Sequence, residues 1–525
     1  MGTEDVYDVA IVGFGPTGVT AANLLGAAGL RVVVIERDGD LFARARAISI
    51  DEEVLRIWQR IGLADRIEQD TLAGAAIDFV DERGRSFLSF EPARRGSGYA
   101  SQHFIFQPAL EQVLRDGVDR YPDVAVLLGR EVCGLDQDDA GVTLTVLDPA
   151  AGTESVLRAA YVIAADGGSG SVRTWLGLGF EGRTYEDRWL VVDTDVLRPW
   201  PDHDRLRFHC DPRRPAVDCP TPLGHHRWEF PVLPGEDESE LVTLPSVMRL
   251  LGRYGVTEEN VAVQRAVIYS HHVRFASRWR AGRVFLAGDA AHVMPPWIGQ
   301  GMCAGVRDAA NLCWKIAAVV HGTLPESVLD TYEQERQPHV RAMTKQAVFF
   351  GRVICERRRP VAWLRNLAFR GVRHVRGADL HFREARWLPT PSYARGFISP
   401  VRHPAVGWLT PQPWVLDESG SRVRFDDALD GRWSLLDLDA TRMAARWVQA
   451  GAASWRLLPA GSSPAPGALV DVDDVLVSWM RERGARSLVL RPDGHVFTAG
   501  GADEDLAPPP GEMCPVLTTD RGVRP

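Results

Sequence analysis

Glycines and acids at three separated places in this chain have the types and spacing to hold a dinucleotide. The first segment, Gly13-Phe14-Gly15-Pro16-Thr17-Gly18, has the G-x-G-x-x-G spacing. There the first glycine permits a tight turn, the second lets backbone approach a pyrophosphate, and the third lets a helix pack close to a strand. N–H groups at the helix start then face the anion. Glu36 lies 18 residues beyond Gly18, placed to accept hydrogen bonds from a ribose diol. Arg37 beside it joins the candidate cofactor-binding set. This motif alone does not separate FAD from NAD.

Ala165-Asp166-Gly167 and Gly288-Asp289-Ala290-Ala291-His292 each place an acid at a glycine turn after an apolar run. Ligands of an open parallel sheet bind beyond the carboxyl ends of its strands. Asp166 and Asp289 are therefore candidates for one crevice, Asp289 as acceptor from polyol hydroxyls. An Asp at a strand end is also a common helix N-cap, and for Asp166 that reading carries equal weight. His292 is as apt to hold its loop as to touch a ligand. Beyond it, Pro295 and Pro296 stiffen the chain, while Gly299 and Gly301 let backbone come near a ring. The N–H groups of Met302 and Cys303 could stabilise negative charge on a reduced isoalloxazine, their side chains reading as core. The order and setting of the three segments together point to bound FAD.

Buried parallel strands must position these turns. Val9-Ala10-Ile11-Val12, Val32-Val33-Val34-Ile35, Val162-Ile163-Ala164-Ala165 and Val284-Phe285-Leu286-Ala287 are continuous apolar runs of that kind. A helix is expected after Gly18, ending near Gly29. A longer one is expected after Gly301, where Met302, Val306, Ala309, Leu312, Cys313, Ile316, Val319 and Val320 keep a helical spacing.

The chain has 525 residues and 45% hydrophobic content, room for several cores. A net charge of −9 argues against nucleic acid as a partner. The seven cysteines include no C-x-x-C pair, which argues against a disulfide framework or a structural zinc site and fits a reducing cytoplasm. The acidic start, Met1-Gly2-Thr3-Glu4-Asp5, runs directly into a strand, so no signal peptide is expected. No membrane-spanning apolar run is found, and no metal site is expected.

These residues resemble the class A flavoprotein aromatic hydroxylases, the group that includes p-hydroxybenzoate hydroxylase. Gly13, Gly15 and Gly18 with Glu36, then Asp166-Gly167, then Gly288-Asp289 match the group's three motifs in order. Arg44-Ala45-Arg46-Ala47 matches its arginine segment and Ile105-Phe106-Gln107-Pro108 its glutamine segment. The likeness covers residues 5–395. Within the group, the stretches from Arg46 to Glu53, Pro296 to Gly301 and Gly305 to Lys315 are similar to the 3-(3-hydroxyphenyl)propionate hydroxylase-like branch. Relatives with tailoring functions share them, so the substrate does not follow.

The resemblance implies that Arg46 and Gln107 contact FAD, with Arg46 near the pyrophosphate. It places Asp166 and Arg173 where the pyrophosphate meets a transient NADH or NADPH, and the Pro296 carbonyl beside the flavin. Pro296 and Arg46 are thus the candidate catalytic residues. The implied activity is a single-component monooxygenase that hydroxylates a small phenolic substrate with O2, through a C4a-hydroperoxide of the flavin. The alternative is tailoring of a polyketide or other natural product, by hydroxylation or Baeyer–Villiger oxidation. The chain has no second G-x-G-x-x-G after a strand, so the nicotinamide must bind briefly at the surface.

The expected fold class is a Rossmann-like α/β FAD-binding domain with an inserted β-sheet substrate domain and a C-terminal thioredoxin-like α/β domain. The FAD-binding parts are 1–74, 99–184 and 275–395, the last with a helical extension. The substrate parts are 75–98 and 185–274. Basic residues there offer anion contacts without singling one out: Arg205, Arg207, His209, Arg213, Arg214, His225, His226 and Arg227. Residues 400–525 form the last domain. It lacks C-x-x-C and reads as structural or oligomeric, a homodimer being one outcome.

Overall fold

The computed structural model describes residues 6–41, 46–93, 96–372, 374–375, 377–439, 444–501 and 506–510. Arg44, of the arginine segment, lies outside them. The apolar runs form the centre of an eight-stranded sheet, in which Val284–Leu286, Thr153–Ala164, Val6–Val12, Val32–Glu36 and Val124–Leu128 lie side by side and parallel. Helix Pro16–Ala27 follows the first glycine turn with proline in its first turn, where the missing N–H costs nothing. Helix Gly301–Val320 packs against it and is buried along most of its length. These elements share one large core.

A second eight-stranded sheet has two long antiparallel strands, Phe180–Val196 and Val261–Ala276, side by side near one edge. Both run continuously from the first body of the protein into the second sheet, which adds His225–Pro231, Ala216–Thr221, Leu206–His209, Ile77–Val80 and Ser86–Phe90. One face carries Leu190, Val192, Trp228 and Phe230 and packs on Val247 and Leu250 of helix Leu244–Leu251. The opposite face looks toward the glycine turns.

A third, seven-stranded sheet lies in the C-terminal part. Ser434–Asp437, Ala453–Leu458 and Ala468–Asp471 are parallel, flanked by antiparallel strands on both sides. It has its own core around Leu436, Leu469 and Leu488. Among the described residues, no helix is long and apolar enough to cross a membrane.

Candidate active site

Strand register brings the three turns together. Ala164 lies opposite Val12, and Leu286 opposite Ala164, so all three turns leave the sheet at one level. Ala165 N–H donates to the Val12 carbonyl at 2.8 Å and Ala287 N–H to that of Ala164 at 2.9 Å. Gly13 has φ +100°, and a Cβ there would lie 2.5 Å from the Ala165 carbonyl oxygen. A Cβ on Gly18 would strike the Gly13 carbonyl oxygen. Both glycines serve the chain's own packing. Gly15 differs: its φ is an ordinary −73° and an added Cβ would meet nothing within 4 Å. Gly167 also faces open space.

The acids divide by task. Glu36 accepts from Phe14 N–H at 2.7 Å and from Asp38 N–H at 2.9 Å, which ties the second strand's end to the first turn. Arg37 beside it is exposed. Asp166 accepts from Val172 N–H at 3.1 Å, the helix-capping role, yet its Oδ1 is buried with no hydrogen-bond partner. Burial holds its pKa above the usual carboxylate range, against the pull of Arg173 and Arg37. Asp289 opens onto a cavity while the surrounding protein raises its pKa, opposed by His292 and Arg46.

Several expected site residues spend their polar atoms on scaffolding. Arg173 donates to the carbonyls of Ala290 (3.0 Å) and Gly168 (2.9 Å), clamping the second and third turns together over the Phe180 ring. Gln107 Oε1 accepts from the N–H groups of Arg46 (2.7 Å) and Ala47 (2.6 Å), fixing the arginine segment from the start of helix Gln107–Val118. His292 holds its loop: its Nε2 lies 2.6 Å from Asp308 Oδ2, which also accepts from Gly288 N–H at 3.1 Å. Arg336 completes that buried set at 2.9 Å from Asp308 Oδ1. Sequence reading missed Asp308, whose partners are fixed by the fold and not by spacing.

Pro296 opens a 3-10 turn, its carbonyl accepting from Gly299 N–H at 2.8 Å. Pro296, Gly301 and Met302 all line the cavity. The Cys303 side chain is fully buried, its thiol pushed up to about 12 by burial, so that residue can offer only backbone. Arg307 anchors this helix start to Asp51 and to Glu53, the latter at 2.5 Å.

One cavity of about 380 Å³ joins these parts, within the range of small-molecule sites. Its floor is formed by Gly15, Thr17, Arg46, Asp289 and Gly301; its far wall is the second sheet, through Ile77, Phe79, Leu206, Phe208, Val217 and Glu229. The eight basic residues offered by the sequence as anion contacts are committed elsewhere. Arg205 pairs with Asp78, Arg207 with Asp202, Arg213 with Asp211 and Arg214 with Glu236. His209 and His226 share Asp218, His225 meets Asp195, and Arg227 meets Asp193.

The chemistry of this cleft fits the expected flavin. The space at Gly15 and Gly167 lies where a pyrophosphate needs room, beside a helix start whose first N–H groups lack intrahelical acceptors. The orphaned Asp166 oxygen and the Asp289 carboxylate offer acceptors for hydroxyl groups. The start of helix Gly301–Val320 offers a second set of N–H donors at the cavity.

Comparison with known proteins agrees. A family model described as an FAD binding domain matches residues 6–347, and one described as the HcaD C-terminal domain matches residues 407–507. The chain is 38% identical over 508 residues to 3-(3-hydroxy-phenyl)propionate/3-hydroxycinnamic acid hydroxylase 2 of Burkholderia vietnamiensis, covering 93% of this chain and 92% of that one. The 3-(3-hydroxy-phenyl)propionate/3-hydroxycinnamic acid hydroxylase of Escherichia coli is 34% identical over 532 residues, covering 98% of this chain and 95% of that one. Among solved structures, aklavinone-11 hydroxylase in complex with FAD and aklavinone superposes with a TM-score of 0.77 at 25% identity, covering 97% of this chain and 98% of that one. Anhydrotetracycline hydroxylase from Streptomyces rimosus shares the fold, with a TM-score of 0.75 at 24% identity over 95% and 96%.

Proposed function

The chain belongs to the FAD-binding family of aromatic monooxygenases, and from that premise we propose that it hydroxylates a phenolic ring held between the three glycine turns and the second sheet. The observation that carries this reading is the single cavity shared by the two. FAD supplies the redox chemistry when bound, with NAD(P)H as electron source and O2 as oxygen source.

The chain's own residues do the rest. Gly15 and Gly167 leave room for the pyrophosphate, and Asp289 accepts from the polyol hydroxyls. Arg46, positioned through Gln107, lines the cavity floor beside them. Gly301, Met302 and Cys303 present N–H groups toward the ring, and Pro296 lines the reacting end. Phe79, Phe208 and Trp297 make an apolar wall that keeps water from the oxidising step. Arg173 acts by holding two turns in place, with the nicotinamide passing near it. In this reading 75–98 and 185–274 are the substrate domain. Residues 400–525 are a thioredoxin-like domain without C-x-x-C, a reading the mixed C-terminal sheet supports.

The first substrates to try are those in the relatives' names, 3-(3-hydroxyphenyl)propionate and 3-hydroxycinnamate. A second reading, oxidation of a polycyclic natural product, is favoured by one observation: the eight basic side chains that the sequence offered as anion contacts each face a carboxylate, so none of those eight is held ready for a substrate's acid group. A screen of substrate-stimulated NADH and NADPH oxidation, with product analysis, decides. Coupled hydroxylation of the phenylpropionates supports the first reading. Coupling with anthracycline-type phenols alone supports the second, and no phenol-stimulated turnover overturns both.

A further inference from the structure

On the cavity face of the second sheet, the pairings define one row of directly opposed residues: Phe79, Phe208, Val217, Glu229 and Val191. Residues opposite one another across paired strands share a face. Glu229 is the one charged member of this row, and four of the five, all but Val191, line the cavity. Among the described residues its carboxylate takes part in no hydrogen bond and no ion pair within 4 Å. A carboxylate amid an apolar wall is costly unless something pairs with it.

Its neighbours fix its place over the site. Two residues before it on the same face, Arg227 donates to the Arg46 carbonyl at 2.8 Å. Two residues after it, Pro231 lies opposite Trp189, whose ring meets Trp297 edge-on at 4.8 Å. Glu229 is thus bracketed by the arginine segment on one side and the Pro296-Trp297 turn on the other.

The geometry points to Glu229 as a catalytic residue that accepts the hydroxyl proton of the bound phenol. This rests on the monooxygenase reading above and adds the group that orients and activates the ring. The substrate O–H donates to a Glu229 oxygen. On transfer that O–H bond breaks, the proton bonds to the carboxylate, and the electron pair stays on the ring oxygen, enriching the carbons to be attacked. Burial pushes the Glu229 carboxyl above its usual range, Arg227 opposing and Asp193 adding to it. This moves the group toward a neutral working pH, where a general base is most useful. Other ionisable groups around it are Cys219 opposite Arg227, Arg265 opposite Asp193, Tyr269 opposite Trp189, and Arg46 and Asp289 across the cavity.

The test uses flavin-loaded wild type, Glu229→Gln and Glu229→Ala, with flavin content as the folding control. The probes are 3-propylphenol, its ring-fluorinated analogues of rising acidity, and 3-propylanisole, which lacks the hydroxyl. Glu229→Gln is expected to lower kcat for 3-propylphenol hydroxylation about 100-fold at neutral pH. That defect should shrink along the fluorinated series and as pH rises, because an already ionised phenol needs no base. A defect of constant size across acidity and pH, or no defect, overturns the proposal. Binding, read from flavin fluorescence, supplies an arm that does not need turnover. Wild type should prefer the phenol over the anisole by about tenfold or more, as a charge-assisted hydrogen bond provides, and Glu229→Ala should lose that preference. An unchanged preference overturns the role. A preference that depends on Glu229, in protein that oxidises NAD(P)H with no phenol stimulation, faults the monooxygenase reading instead.

Discussion

Glu335 and Arg491 stand 156 residues apart in the chain and meet through two hydrogen bonds, Nη1 to Oε1 at 2.8 Å and Nη2 to Oε2 at 3.1 Å, with neither side chain reaching solvent. Glu335 belongs to helix Thr331–Ile354, and Arg491 follows strand Ser487–Leu490 of the third sheet. Lys315 Nζ, 2.8 Å from the same carboxylate, extends the set to the helix that begins at the cavity. The C-terminal part is thereby bolted to the flavin-binding body.

Arg491→Met should therefore be costly although it touches no ligand. Removing one partner of a buried pair leaves an incompletely compensated charge, worth about 3 kcal/mol or more. Asp493, which also pairs with Arg491, loses its cation in the same step. Urea denaturation followed by tryptophan fluorescence should show an earlier transition. An unchanged midpoint would mean that this pair does not hold the parts together.

The same pair sets an acid limit. Burial alone would raise the Glu335 carboxyl, but Arg491 and Lys315 bring it down from 4.5 to about 2. Between those pH values the unfolded chain takes up a proton at this group that the native state does not. Stability from Glu335 is thus complete above about pH 4.5 and is lost as pH falls toward 2. Urea midpoints measured from neutral to acid pH should fall, and the gap between wild type and Glu335→Gln should close toward acid. A gap independent of pH would contradict the assignment.

The glycine turns were legible because their demands are local: a strand, a turn that only glycine can make, and a helix. What lies opposite the polar face of an alternating strand is not encoded locally. In Arg227-Trp228-Glu229-Phe230 the apolar partners enter a core against helix Leu244–Leu251, and the polar pair looks like a solvent face. Here the polar face looks onto the flavin cleft, where Glu229 lines the cavity. The basic residues of that sheet looked available for anions because their partners are remote in sequence; Arg205 and Asp78 are 127 residues apart. Arg307 and Asp308 are the first charges of helix Gly301–Val320, and both are buried and tie the helix to distant turns. Spacing reveals what backbone needs from one neighbourhood; ion pairing across elements depends on a topology that spacing does not encode.

Asp289 and Asp308 should separate ligand binding from folding. Asp289 opens onto the cavity, and burial already disfavours its charge. Asp289→Ala should fold with an unchanged urea midpoint in the absence of FAD and purify with much less flavin. Asp308 instead holds Gly288, His292 and Arg336, so Asp308→Asn should cost about 3 kcal/mol of stability and lower the midpoint itself. Full flavin occupancy in purified Asp289→Ala would remove that residue from the cofactor contacts.

Gly13 and Gly15 offer the sharpest contrast, since they are two residues apart in one turn. At Gly13 a methyl group would sit 2.5 Å from the Ala165 carbonyl oxygen, on backbone at φ +100°. An L residue is strained there whatever the ligand, so Gly13→Ala should destabilise the protein with or without FAD. At Gly15 the backbone is extended at φ −73° and the methyl group would enter empty space. If that space belongs to the pyrophosphate, Gly15→Ala should leave the flavin-free protein as stable as wild type. FAD would then bind at least about tenfold more weakly, because the methyl group displaces the anion from the helix start. Gly15→Val should bind still less. Titration of flavin-free protein with FAD, beside urea curves of the same samples, reads both quantities. Wild-type affinity in Gly15→Val would mean that the dinucleotide does not cross this turn.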